Sequence, residues 1–383
     1  MTKVFLSAGD LSGDIHCAML VRELLRRHPD WQIFALGGEN LRSGGAQMLG
    51  DTSNLGVIGF SAALLTLPRT LQMRAKSLQW LAREKPDAAI LCDWGGFNTR
   101  LLSNLERLKI PVCYYFPPRS WQKSGDGGLQ IAPLCARIAT PFEWSAQRLN
   151  AVGARAEWVG HPILETAAQS APREAIRAEL GIAQDETLIA VLPGSRALER
   201  KIIAPHVAGA IEMLQKRLNA RFVVAATTGT RSKLRIIFGE GVEILENRAF
   251  ELLRASDAAI VKSGTSTLEA AVANCPQIVV YDVPSLIRAQ VKLTRLQKKV
   301  PFVAMPNIIL EREIAPELLG DACRAPQIAD TLLQLLENPE NIAQMRQDYA
   351  LVRAALGANL PYTATHRTAD LVDGIVTQPK FLS

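Results

Sequence analysis

Two short stretches carry residues that could hold a charged ligand. "LPGSR", residues 192–196, closes an apolar run with a glycine, a serine and a guanidinium. "VKSGTSTLEA", residues 261–270, closes another apolar run with small residues and then reads as a helix. Helix N-termini present free N–H groups and a favourable dipole to anions, and glycine lets the backbone come close. Ser263, Gly264, Thr265 and Ser266 are therefore candidates to cradle a phosphate, and Arg196 to stabilise charge as a phosphate leaves. Glu269, one turn into the helix, suits a ribose hydroxyl. Either turn alone is equally a helix cap; two at equivalent edges of one domain point to a diphosphate. Neither has the GxxxxGK[ST] of a P-loop and no GxGxxG is well placed, which argues against an ATPase or a dinucleotide enzyme.

A third loop, "SAGDLSGDIH" (7–16), crowds Asp10, Ser12, Asp14 and His16 after the first apolar run, with glycines 9 and 13 allowing tight backbone geometry. Ser12 or Asp14 also fits a helix cap. Further loops, "CDWGGFN", "YYFPPRSW" and "GHP", add Asp93, Asn98, Arg119, Trp121 and His161.

These loops need elements to position them. Short β-rich runs ("KVFLSAG", "WQIFALGG", "DAAILCD", "PVCYYF", "RIATPF", "EWVG") alternate with helical patterns, the βαβ rhythm of a parallel sheet. "IHCAMLVRELLRRH" puts Leu20, Leu24 and Leu25 on one side and Arg22, Glu23, Arg26 and Arg27 on the other, as a covering helix does. The rhythm pauses in a polar connector near 165–185. It resumes with "LIAVLPG", "RFVVAAT", "VEIL", "AAIVKSG" and "QIVVYDV", followed by a helical tail from about Pro316. The expectation is an α/β protein of two doubly wound Rossmann-like domains, 1–165 and 186–383, with ligands at the carboxyl ends of the strands.

A chain of 383 residues has room for two such domains. Hydrophobic residues at 48% and charged residues at 21% exclude general disorder, and no run reaches the roughly 18 apolar residues of a membrane span. The N-terminal apolar run meets Gly9 and Asp10 too early for a signal peptide and reads as a strand. Six scattered cysteines without a CxxC pair suggest reduced core residues and no metal site. A net charge of +6 suits an anionic ligand or surface. With no zinc-finger or RRM signature, nucleic acid is not expected.

The ordered set "SAGDLSGDIH", "KPDAAILCD…FN", "FPPRSW", "TPFE", "VGHP", "LPGSR", "SGTSTLE" and "MPNIIL…APELL" resembles the lipid-A-disaccharide synthase family, over nearly the whole chain. The resemblance implies a GT-B glycosyltransferase whose two domains face across a cleft. It implies an inverting, metal-independent and cofactor-free transfer of an acylated glucosamine from UDP-2,3-diacylglucosamine. The acceptor would be the 6-hydroxyl of 2,3-diacylglucosamine 1-phosphate, at the cytoplasmic face of the inner membrane. UDP would sit on the C-terminal half, against Gly194, Ser195, Arg196, Ser263, Gly264, Thr265, Thr267, Glu269 and Asn307. Asp87 matches the family's "KPD". A homodimer through the C-terminal region is a further implication.

The N-terminal half departs from that pattern. Where the family usually reads D-x-P-D-F-N, this chain reads Asp93, Trp94, Gly95, Gly96, Phe97, Asn98, so the favoured acid/base carboxylate is replaced by Gly96. Asp10 stands where Glu is usual. Asp10 and Asp93 are the first candidates to act as base, ahead of Asp14 and His16, while Ser12, Asp14 and Asn98 are candidate acceptor contacts. The alternatives are a GT-B transferase with a different acceptor, and a non-catalytic UDP-sugar or lipid binder. A basic row, Arg288, Lys292, Arg295 and Lys299, beside apolar residues, and the apolar "LGVIGFSAALLTLP", are candidate contacts with an anionic membrane or an acyl chain.

Overall fold

The computed structural model describes residues 1–52, 60–118, 121, 129–284, 288 and 301–377, with backbone alone for 60–66. The basic row at 289–299, residues 55–59 of "LGVIGFSAALLTLP" and Arg119 lie outside the described residues.

The first unit contains β1 (Lys3–Ala8), α1 (Leu11–Arg27), β2 (Gln32–Gly37), α2 (Glu39–Ser43), β3 (Gln47–Asp51), α3 (Phe60–Glu84), β4 (Ala88–Cys92), α4 (Gly95–Arg107), β5 (Val112–Tyr115), β6 (Arg137–Thr140), α5 (Glu143–Asn150) and β7 (Ala156–Trp158). Its seven strands are all parallel, in the order β3-β2-β1-β4-β5-β6-β7. The central strands are buried on both faces, which is why they read as continuous apolar runs. In β1, Val4, Leu6 and Ala8 join one core and Phe5 the other; in β4, Ala88, Ile90 and Cys92 face the first, Ala89 and Leu91 the second. This is the period of two that a pleated strand requires.

The chain continues through α6 (Ile163–Gln169) and α7 (Arg173–Glu179) into β8 (Thr187–Leu192), α8 (Ala197–Leu214), β9 (Ala220–Ala226), α9 (Arg231–Phe238), β10 (Glu243–Glu246), α10 (Ala249–Ala255), β11 (Ala258–Lys262), α11 (Thr265–Val272), β12 (Gln277–Tyr281), α12 (Met305–Leu310), β13 (Glu317–Leu319), α13 (Ala325–Leu336) and α14 (Pro339–Ala355). The second sheet is also parallel, in the order β10-β9-β8-β11-β12-β13.

Two corrections follow. The stretch after Pro316 opens with a sixth strand, β13, before it turns helical. The last helix, α15 (Ala364–Thr377), does not belong with the second half. The compact units are 1–165 with 356–383, and 166–355. Ala364, Ala369, Leu371, Val372 and Ile375 of α15 enter the same core as Leu20, Val21 and Leu24 of α1. Arg27 bridges Asp370 at 2.7 Å and Asp373 at 2.9 Å, and Arg367 pairs with Glu157. The polar connector is likewise part of the second unit: Ile176 of α7 lies in its core, and Arg177 donates to Ala255 O at 3.0 Å.

Candidate functional site

In each sheet the strand order reverses beside the first strand, between β1 and β4 and between β8 and β11. Helices leave such neighbours on opposite faces, which opens a crevice at the carboxyl ends of the strands. In the second unit Leu192 pairs with Val261, so "PGSR" and "KSGT" emerge side by side from adjacent strands.

Glycine at 194 is a geometric need: its φ is +106°, and a Cβ there would lie 3.0 Å from Glu199 Oε2 and 3.5 Å from Lys262 Cδ. Gly264 has φ +144°, and its Cβ would stand 3.6 Å from Lys262 Nζ. Lys262, the last residue of β11, thus sits beneath both turns. It is buried, with Nζ 2.6 Å from Glu199 Oε1 and 5.7 Å from the centre of the Tyr281 ring. Burial lowers its pKa, Glu199 resists that shift, and the nearby Arg196 adds to it. Arg196, the N-cap residue of α8, donates to the same Glu199 oxygen at 3.1 Å. Buried Arg200 donates to the carbonyls of Ser195 and Gly194, holding the turn from below, and burial lowers its pKa too. Three cations thus surround one carboxylate at the strand ends.

The other expected residues divide. Thr265 opens α11 and is exposed; Ser263 is buried and donates to Val303 O at 2.9 Å. Glu269 is half-buried, its carboxyl raised by burial against the lowering pull of the Ser266 hydroxyl. Thr267 is fully buried, donating to Gly264 O at 2.8 Å and accepting from Met305 N–H at 2.9 Å. Asn307 is fully buried as well. Its amide donates to Ala315 O and to Glu317 Oε1, and its oxygen accepts from Ile314 N–H and Ala315 N–H. Every strong hydrogen-bonding position of that side chain is used by the protein. Thr267 and Asn307 thus tie α11, α12 and β13 together, where a nucleotide contact was expected.

In the first unit Asp10 is the N-cap of α1: Oδ1 accepts from Gly13 N–H at 2.8 Å, and the Ser12 hydroxyl lies 3.2 Å from both carboxylate oxygens. Asp14 is buried and reaches across to α2, accepting from Gly38, Asn40 and Leu41 N–H and from the Asn40 amide, at 2.6–3.2 Å. Asn98 is fully buried, bonded to the Ser7 hydroxyl and to the carbonyls of Ser7, Cys92 and Asp93. Asp14 and Asn98 therefore build loops, where acceptor contact was expected.

Asp93 behaves differently. It is exposed at the end of β4, with φ +41° followed by +44° at Trp94, two consecutive residues in the left-handed region. The bend is held by Tyr114, whose hydroxyl donates to Asp93 O at 2.7 Å, and by Asp93 N–H donating to Phe116 O at 3.0 Å. Such strain persists only where neighbours over-determine it, and it concentrates at functional sites. Trp94 lies against Gly9, where a Cβ would be 2.1 Å from its ring, and stacks on Phe97 at 4.0 Å. Gly96 is exposed and a Cβ there meets nothing within 4 Å.

His16, Phe116 and His161 form an aromatic cluster in which both histidines are buried, with centroids 5.2–5.3 Å apart. Burial holds His16 down to about 4, with Asp10 pulling the other way, and burial together with His16 depresses His161. His161 Nδ1 accepts from Ile163 N–H at 3.1 Å. Trp121 is fully buried against Tyr114. No helix among the described residues is long and apolar enough to cross a membrane.

Sequence reasoning missed Glu199, Arg200 and Lys262. A signal was available: Glu199 and Arg200 follow Arg196 at helical spacing, and Lys262 ends a strand otherwise made of Ala, Ile and Val.

Two parallel Rossmann-type sheets, the second carrying a cationic crevice at its switch point, define the GT-B-like class. Solved structures agree on the fold. The S. aureus MnaA–UDP structure aligns with TM-score 0.65 at 13% identity, covering 97% of this chain and 96% of that one. The rhamnosyltransferase SpnG in complex with spinosyn aglycone aligns with TM-score 0.60 at 13% identity, covering 98% and 100%.

Within that class the sequence is specific. The model of the lipid-A-disaccharide synthetase family matches residues 4–369. The lipid-A-disaccharide synthase of Gloeothece citriformis is 33% identical over 368 residues, 93% of this chain and 96% of that one. That of Myxococcus xanthus is 36% identical over 362 residues, 93% of each. The chain belongs to the lipid-A-disaccharide synthase family, a family of hexosyltransferases that act in lipid A biosynthesis.

Proposed function

We propose that the enzyme transfers 2,3-diacylglucosamine from its UDP derivative to the 6-hydroxyl of 2,3-diacylglucosamine 1-phosphate, with inversion and without a metal. The observation that carries this reading is the crevice between β8 and β11, where Arg196 and two glycine turns meet over buried cations. Main-chain N–H groups of the turns and of α11 would hold the diphosphate. Arg196 would stabilise the charge that grows on the departing UDP. Thr265 and Glu269 remain as contacts of the donor, and Thr267 and Asn307 act as supports.

On the acceptor side Asp93 is the preferred base. It stands at the end of β4 in a bend of two left-handed residues, whereas the carboxylate of Asp10 caps α1 and that of Asp14 is bonded at the start of α2. His16 is neutral at working pH but a weak base. Asp93→Asn should reduce turnover about a hundredfold, within the usual worth of a general base. The protein would work at the cytoplasmic face of the inner membrane; flotation with anionic liposomes at low salt tests this, and a protein left at the bottom of the gradient refutes it. A homodimer through the C-terminal region belongs to the same proposal and is read by light scattering.

Purified protein incubated with both acylated substrates and EDTA should release UDP and form a disaccharide. Absence of disaccharide, with UDP still bound, would favour the second reading, a transferase with another acceptor. Gly96 and the open space around it support that second reading.

A further inference from the structure

We propose that Lys262 is a second cation for the donor diphosphate, and that Glu199 holds it in reserve by occupying, in the unliganded protein, a position that a phosphate oxygen takes when the donor binds. This rests on the nucleotide reading of the second unit's crevice.

The first support is position. A Cβ on Gly264 would come 3.6 Å from Lys262 Nζ, and one on Gly194 would come 3.5 Å from Lys262 Cδ. The ammonium therefore lies at the junction of the two turns, where main-chain N–H groups and the start of α11 favour an anion.

The second is the way Glu199 is bound. One oxygen is shared between Lys262 at 2.6 Å and Arg196 at 3.1 Å. The other, Oε2, is buried and has no hydrogen-bond partner. A buried carboxylate oxygen without a donor is costly, and a carboxylate chosen only to neutralise a lysine would have both oxygens satisfied. The arrangement, a bidentate anion with one side gripped by an ammonium and a guanidinium, reproduces half of what these groups would do for a phosphate.

The third is charge. Arg196 and Lys262 share one oxygen of Glu199, and Arg200 lies against the carbonyls of the same turn, so three cationic side chains converge at the strand ends. A diphosphate offers these groups more oxygens than a monophosphate does. Glu199 belongs to the first turn of α8 and its side chain is partly accessible, so it can turn outward without unfolding the helix. Lys262 has no such freedom, and a bound diphosphate would favour its charged form against the lowering effect of burial.

The test measures UDP and UMP binding by titration calorimetry on the full chain, with thermal unfolding of each variant as a control. Lys262→Met should weaken UDP at least tenfold and UMP far less. Lys262→Arg should recover part of that loss. Glu199→Gln should tighten UDP several-fold, because it releases the ammonium and removes the competing charge. UDP affinity unchanged in Lys262→Met, or a loss in Glu199→Gln as large as in Lys262→Met, would overturn the proposal. If Lys262→Met fails to fold, the opposite-signed effect of Glu199→Gln still decides it. Wild-type protein that binds neither nucleotide would sink the nucleotide reading itself, and this proposal with it.

Discussion

The two units share one plan and use it differently. Each is an all-parallel sheet whose strand order reverses beside its first strand, and each presents short loops at that point. In the first unit the polar residues of those loops are largely spent on the loops: Asp10 caps α1, Asp14 ties α1 to α2, and Asn98 ties β1 to the β4 bend. In the second unit the charged residues face one another across the crevice, and the carboxylate of Glu199 keeps an oxygen unsatisfied. A motif rich in Asp, Ser and Asn is thus mostly scaffold here, while the motif with fewer polar residues holds the available charge. Buried side chains with every lone pair and proton used have nothing left to offer a ligand.

The contrast can be broken by mutation. Arg196→Ala should lower disaccharide formation about 10²–10³-fold, the usual worth of a preorganised charge stabiliser. Its unfolding midpoint should hardly move, because the side chain is partly exposed. Asp14→Ala should show the reverse: a loss on the order of 3 kcal/mol in urea unfolding, since several donors lose one buried carboxylate, with near-normal turnover per folded molecule. If Asp14→Ala folds normally and loses turnover instead, the contrast is wrong.

Gly96→Asp sharpens it further. The space around Gly96 accepts a side chain, so the variant should fold as the parent does and gain turnover, roughly tenfold, if a second carboxylate helps deprotonate the acceptor. No gain would mean that Asp93 already performs the step or that the acceptor differs.

A change of pH reaches a different group in each unit. Burial lowers the pKa of Lys262 in the free protein, and a bound diphosphate favours its charged form. Binding therefore takes up a proton once free Lys262 is neutral, and UDP affinity should fall as pH rises through that lowered pKa. Lys262→Arg should flatten the alkaline limb. His16 gives a separate acid limb in stability. Its folded pKa, about 4, lies below the ordinary 6.5, so its contribution is full above 6.5 and is lost as pH falls to 4, on the order of 3 kcal/mol.

Much of this architecture was legible in the residues. Strands such as "KVFLSA" and "TLIAVL" are apolar throughout because both faces are buried; the loop after the second carries Gly194, which its φ of +106° demands, and the loop after the first carries Gly9, which the close approach of Trp94 demands. What escaped were relations across the chain. Asp14 finds its donors 24 to 27 residues later, at a helix start that shares no pattern with "SGDIH". Asn307 looked like a ligand residue because its partners lie in the irregular turn that follows it. Lys262 passed as the last residue of a strand; only the pairing of β11 with β8 brings it under Gly194. Nothing local in α15 reveals that its partner is α1, more than 300 residues away.

That last pairing bears on how the molecule is made. During translation the seven strands of the first sheet are complete by Trp158, yet the hydrophobic groove beside α1 stays unfilled until Leu371, Val372 and Ile375 have been synthesised. The interior unit, 166–355, needs no later segment to close its own core, so it can reach its native state while the unit that was begun first is still waiting for its final helix.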